Sequence, residues 1–231
     1  MPAPPSTTTR SSGSWSSASA DALPRAFYLR PARAVARDLL GCILVSRHGG
    51  AVTAGRIVET EAYLGPEDAA SHAAFRPASR NLFYGDGGRA YVYLNYGIHF
   101  CLNAITSRAG IPGCVLIRAL EPVTGMEAMA RRRGLPASSV RLASGPGNLT
   151  KALAITLRDN TADLTAGPLT IEPRRGARPR ITAGPRVGIT RAIDLPLRFW
   201  ITGSPSVSQP QITSPAGAQK CPDPRRRGAR D

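Results

Sequence analysis

Four acids fall within ten residues of the stretch VETEAYLGPEDAASH, residues 58–72: Glu59, Glu61, Glu67 and Asp68. Two rings, Tyr63 and His72, share the stretch. A carboxylate held beside such groups can take a proton from water or face developing positive charge. Tyr91 and Tyr93 alternate further on, and Tyr96 follows within the turn signal Asn95–Gly97. Rings that line a pocket can hold a nucleobase by stacking. A ring at an exposed turn can wedge between base pairs. Each residue alone has an ordinary reading: sheet packing for the tyrosines, a satisfied polar group for His72, a surface ion pair for Glu61. Only their joint order is specific.

The elements that must position them follow from pattern. AVTAGRIVETEAY reads as a long strand returning from CILVSR through an HGG turn, so Glu59, Glu61 and Tyr63 share one face. Residues 65–90 are rich in loop formers and carry Arg76, Arg80 and Arg89. AYVYLNYGIHFCLNAIT holds two aromatic and β-branched runs around a short turn, a hairpin signal. CVLIRALEP is a further strand with Arg118 a lone cation in an apolar run. Helices are expected over FYLRPARAVARDLLG with Pro31 in the first turn, over 124–133 stopped by Gly134, and after Pro146. PLTIEP, RVGIT and LRFWITG are expected to close the body as strands. Antiparallel strands with a few helices indicate an α+β domain. Residues 1–23 and 204–231 are rich in Ser, Pro, Gly and Ala without periodicity, and both are expected to be disordered tails.

The formal net charge is +15 from 30 Lys+Arg and 15 Asp+Glu. The last twelve residues hold five cations and two anions, and the first 23 hold one of each, which leaves +12 for residues 24–203. A body that basic suggests a polyanionic partner, most often nucleic acid, against the plainer alternative of solubility. Cys42, Cys101, Cys114 and Cys221 form no CxxC or Cys/His cluster, so no metal site is expected and a reducing compartment fits. The N-terminus lacks an apolar signal-peptide core, and nothing approaches the roughly 20 apolar residues of a membrane span.

In order along the chain, RIVETEAYLGPEDAASH, RN, YVYLNYGIHFCLN, CVLIRALEP, SGPGNLTKALAI, RVGI and PLRFW resemble the alkyladenine (3-methyladenine) DNA glycosylases. The resemblance implies one mixed domain over residues 24–203, a curved, mainly antiparallel sheet with a protruding β-hairpin and flanking helices. It implies a monofunctional enzyme of base excision repair that acts as a monomer on double-stranded DNA containing damaged purines, with no cofactor, metal or membrane. Glu61 would be the general base that activates water, and Arg118 would hold the water or nearby backbone. Tyr63, His72 and Tyr93 would sandwich the flipped base, with Asn103 obstructing the exocyclic amine of guanine. Val187 and Gly188 would supply main-chain contacts near the water and a phosphate. Tyr96 would fill the gap in the duplex, and Arg76 and Arg80 would contact DNA. The expected location is cytoplasmic and nucleoid-associated in a bacterium, nuclear otherwise, and not secreted. Only Lys151 and Lys220 could offer a side-chain amine for a Schiff base, which favours hydrolysis over strand cleavage. Two other classes compete: a non-catalytic nucleic-acid binder using Tyr96 as a wedge, and an unrelated hydrolase or transferase whose charge is incidental. A binder has no need of an acid at position 61, and salt-dependent duplex binding separates the last class from both others.

Overall fold

The computed structural model describes residues 22–208. Two helices open the body, α1 (Arg25–Tyr28) and α2 (Ala32–Leu39). Pro31 stands just before the first turn of α2, and its carbonyl accepts the N–H groups of Ala34 and Val35. Val35, Ala36 and Leu39 bury one stripe of the helix, and Gly41 turns the chain out at φ 90°. Strands β1 (Ile43–Ser46) and β2 (Thr53–Tyr63) follow as expected. Two single-turn helices, α3 (His72–Phe75) and α4 (Arg80–Phe83), fold the loop that leads to β3 (Ala90–Asn95) and β4 (His99–Ile105). Then come β5 (Cys114–Thr124), α5 (Met126–Arg133), α6 (Pro146–Ala152), β6 (Leu169–Glu172), β7 (Ile181–Gly184) and β8 (Arg198–Ile201).

The strands form one curved antiparallel sheet in the order β3-β4-β5-β2-β1-β6, with β8 also on β2 and β7 on β8. The fold is α+β in a single domain, as the sequence indicated. Strand β2 is the spine. Its first residues pair with β1, Glu59–Glu61 pair with β8, and its other edge runs along β5. Thr60 donates its hydroxyl to the Ala36 carbonyl at 2.8 Å, which docks α2 on β2. The main core lies here, built from residues such as Val35, Leu39, Ile57, Val58, Ile117 and Leu120.

The β2–β5 ladder is irregular at the centre. Ile57 faces Leu120 and Thr60 faces Ile117, but between them Glu59 faces Ala119, and Arg118 takes no place in the ladder. The cause is a competing partner: Ala119 bridges to Ser144, and the Leu120 N–H donates to the Ala143 carbonyl at 3.0 Å. Such irregularities re-aim side chains.

Three expectations are corrected. RVGIT is not a strand; the late strand is ITAG, β7, which pairs with β8. Leu23 belongs to the body, buried, with its N–H on the Ile171 carbonyl at 2.7 Å. Residues 204–208 do as well: Ser206 and Ser208 are buried, and Ser208 supplies donors that the buried Glu59 carboxylate requires. The remaining tail residues lie outside the described residues. Part of the basic excess is structural: Arg30 and Arg178 both pair with Asp38, and Arg132 donates to the carbonyls of His48, Gly49 and Ala152.

Candidate active site

Two neighbouring acids on one face of β2 form the floor of the site. Glu61 is fully buried. Its Oε1 accepts the Val187 N–H at 2.8 Å and pairs with Nη1 of Arg118 at 3.2 Å, while Oε2 accepts the Tyr63 hydroxyl at 2.8 Å. A carboxylate can be buried only with such compensation. Burial, with Glu61 beside it, pushes the Tyr63 phenol well above its usual range, so it remains a donor. Burial opposes the charge of Arg118, yet Glu61 and Glu59 hold its pKa above the ordinary value.

Glu59, to which the sequence assigns no role, is also fully buried. Its Oε1 accepts Nε of Arg118 at 2.9 Å, Nε of Arg198 at 2.7 Å and the Ser208 hydroxyl at 2.9 Å; its Oε2 accepts the Ser208 N–H at 2.7 Å. Arg118 therefore bridges the two acids, and Ser208, the last described residue, closes the network. Glu67 and Asp68 shape the loop beyond: Glu67 accepts the Gly65 N–H, and Asp68 accepts those of Leu64 and Ala70.

The wall is aromatic. His72 begins α3, and the Ser71 hydroxyl caps that turn by accepting the Ala73 N–H at 3.3 Å. The His72 ring meets the Tyr93 ring edge-on at 4.5 Å, and its Nδ1 lies 2.9 Å from the Tyr91 hydroxyl. Burial, with Arg76 nearby, depresses the His72 pKa to about 4, so the imidazole is neutral at pH 7. Tyr93 stacks on Tyr91 at 5.2 Å, and the Arg76 guanidinium lies 5.2 Å over the Tyr93 ring. Asn103, buried on β4, shares the partner Leu116 with Glu61 in the sheet register and donates its side-chain amide to the Tyr91 carbonyl at 3.1 Å.

The hairpin tip is different in kind. The Ile98 N–H donates to the Asn95 carbonyl at 3.1 Å, closing a turn whose central residues, Tyr96 and Gly97, have φ 50° and 69°. Positive φ at both is the backbone of a type I′ hairpin turn, which glycine adopts freely and tyrosine does not. Tyr96 is 80% exposed and Ile98 73%.

With this geometry in place, residues 26–205 match the family model described as methylpurine-DNA glycosylase. The chain belongs to the methylpurine-DNA glycosylase family. A protein of Koribacter versatilis (strain Ellin345) named "Putative 3-methyladenine DNA glycosylase" is 50% identical over 191 residues, 80% of this chain and 92% of that one. A protein of the same name from Methanoculleus marisnigri is 49% identical over 194 residues, 81% and 98% of the two chains, and one from Rhodopseudomonas palustris is 47% identical over 191 residues, 81% and 88%. Membership makes this DNA glycosylase a hydrolase of N-glycosyl bonds and a protein of DNA repair.

Within the glycosylase, the residues singled out by sequence separate into groups. Glu61, Tyr63, Arg118 and Val187 meet directly, and His72, Tyr93 and Arg76 form a second cluster. Asn103 reaches that second cluster through the Tyr91 carbonyl. Among the described residues Tyr96, Arg80 and Gly188 stand apart from these contacts; the Arg80 guanidinium sits over Tyr84 at 5.2 Å. Residues that sequence reading left without a role are Glu59, Tyr91, Arg186, Arg198 and Ser208. The alternation of Tyr91 with Tyr93 carried a signal for one of them; the others are joined to the site by pairings no local pattern announces.

Proposed function

We propose that this glycosylase flips damaged purines out of duplex DNA and hydrolyses the N-glycosidic bond with water activated by Glu61, leaving an abasic site. The observation that carries the reading is the environment of Glu61. A carboxylate offers about four acceptor positions. Val187 and Arg118 occupy those of Oε1 and Tyr63 one on Oε2, which leaves one on Oε2 to orient a water and receive its proton. As the glycosidic bond breaks, its electron pair leaves with the base and positive charge grows on the sugar. The buried carboxylate stabilises that charge while the water oxygen bonds to the sugar carbon.

The remaining residues take supporting parts. Tyr63 stacks on one face of the flipped base, and His72 with Tyr93 stacks on the other. Asn103, fixed by the Tyr91 carbonyl, obstructs the exocyclic amine of guanine. Tyr96 fills the space the base leaves, at an unstacking cost of about a few kcal/mol. Arg76, Arg80 and the Gly188 main chain meet the DNA backbone, and the chain acts as a monomer. The names of the relatives and the basic body support a DNA substrate.

The test uses duplexes holding one hypoxanthine, 7-methylguanine or ethenoadenine, followed by alkali. The expected result is cleavage at the lesion with alkali and an intact strand without it. Strands that resist alkali for every lesion overturn the reading, and a protein–DNA adduct trapped by borohydride overturns the water mechanism.

A further inference from the structure

One arginine at the site serves neither Glu61 nor Glu59. Arg186 directly precedes Val187, and its side chain, like that of Asp68, is fully buried. Its fork is bidentate on Asp68, Nη1 to Oδ2 at 2.6 Å and Nη2 to Oδ1 at 2.8 Å, and Nη1 also donates to the Ala62 carbonyl at 3.1 Å. The two oxygens of Asp68 further accept the N–H groups of Leu64 and Ala70, each at 3.1 Å. The pair thus ties the end of β2, the loop toward His72 and the segment carrying Val187. Above all, the guanidinium lies 4.6 Å over the Tyr63 ring. Nη2 also donates to the Ala192 carbonyl at 3.4 Å, while Nε is buried without a hydrogen-bond partner among the described residues.

A ring has two faces and one quadrupole. A guanidinium on one face engages the π density and leaves only the other face for a base. A positively charged base stacked there feels the guanidinium across the ring, where no water screens it. An uncharged purine stacks by dispersion and feels no such repulsion. Arg76 over Tyr93 acts in the same sense on the second ring.

We propose that the Asp68–Arg186 pair is a specificity-determining element: the buried guanidinium behind Tyr63 lowers the ring's attraction for cationic bases and tilts the site toward uncharged purine lesions. The inference rests on the glycosylase reading, with Tyr63 as a stacking platform.

The experiment compares single-turnover excision of 7-methylguanine, cationic, and hypoxanthine, uncharged, each opposite cytosine in the same duplex. Asp68→Asn with Arg186→Met removes both charges together and leaves no lone buried ion. The ratio of 7-methylguanine to hypoxanthine rates should rise about 3–10-fold, the span of a partly desolvated cation–π contact. A ratio that stays level or falls overturns the proposal. If that variant does not fold, Tyr63→Leu keeps the pair and removes the ring. Both lesions should then slow by the same factor, and a loss more than about threefold greater for 7-methylguanine overturns the proposal. If the unaltered chain releases neither base, the glycosylase reading itself fails; if it releases both and the ratio does not move, only the specificity role fails.

Discussion

Around Glu59 and Glu61 two carboxylates and two guanidiniums, those of Arg118 and Arg198, are buried and paired within one sheet. At the hairpin tip Tyr96 and Ile98 face solvent on a turn closed by the Ile98–Asn95 backbone hydrogen bond, and Tyr96 sits at a φ that tyrosine seldom adopts. Under the proposed function the difference separates two physical tasks. Stabilising charge in a transition state needs groups fixed before the substrate arrives. Entering a base stack needs apolar surface that the free protein leaves uncovered. The floor is strong because its parts hold one another; the tip is available because little holds it.

The largest expected effect breaks the floor. Glu59→Ala leaves Arg198 without a carboxylate partner among the described residues and Arg118 with Glu61 alone, and removing one partner of a buried ion pair costs about 3–5 kcal/mol. Chemical denaturation should show a loss of that size; a change below about 1 kcal/mol would mean that solvent reaches the network in solution. Glu61→Gln comes next. It should retain lesion binding and lose at least about 10²-fold in single-turnover rate. Near-normal excision would remove Glu61 from the role of general base.

Tyr96 sharpens the contrast. Tyr96→Ala should slow excision of hypoxanthine about tenfold in a stable pair with cytosine and hardly at all in single-stranded DNA, because the wedge matters only where unstacking must be stabilised. Tyr96→Gly should do the same while raising stability by up to about 1 kcal/mol, since glycine relieves the positive φ. Equal slowing in every context would show that the tip has another role. The smallest effect concerns His72. Its folded pKa, about 4, lies below the ordinary 6.5, so the folded state binds fewer protons than the unfolded one. This contribution to stability is fully present above pH 6.5 and is lost as pH falls toward 4. Excision should show no inflection from His72 between about pH 5 and 8, whereas titration of its imidazole by NMR near pH 6.5 would refute the buried, neutral ring.

The same two regions differ in how far the sequence revealed them. The tip was legible because its signals are local: Asn95, Tyr96 and Gly97 stand between two alternating runs and fold on themselves. The strand carrying Glu61 and Tyr63 was legible for the same reason, through a period of two. The floor was not. Glu59 meets Ser208, Arg118 and Arg198 only after β5 and β8 have paired with β2, and Ser208 lies in a stretch whose Ser- and Pro-rich composition reads as a tail. RVGIT, with its β-branched residues, looked like a strand, yet the Val187 N–H is turned to a carboxylate instead of a ladder. Arg118 stands out in the sequence as a cation in an apolar run, but its aim depends on the broken register beside Ala119.

The position of β2 has a consequence for how the enzyme fails on heating. Glu61 faces Leu116 on one side and Arg198 on the other, so its backbone is laddered along both edges of the strand. Fraying from an edge of the sheet cannot release it without first detaching β5 or β8. The site therefore opens in the same cooperative event that unfolds the domain. Amide protons around Glu61 should exchange with solvent at the global rate, and those of Tyr96 and Gly97 far sooner. Loss of catalytic capacity on heating should track the melting of the whole sheet.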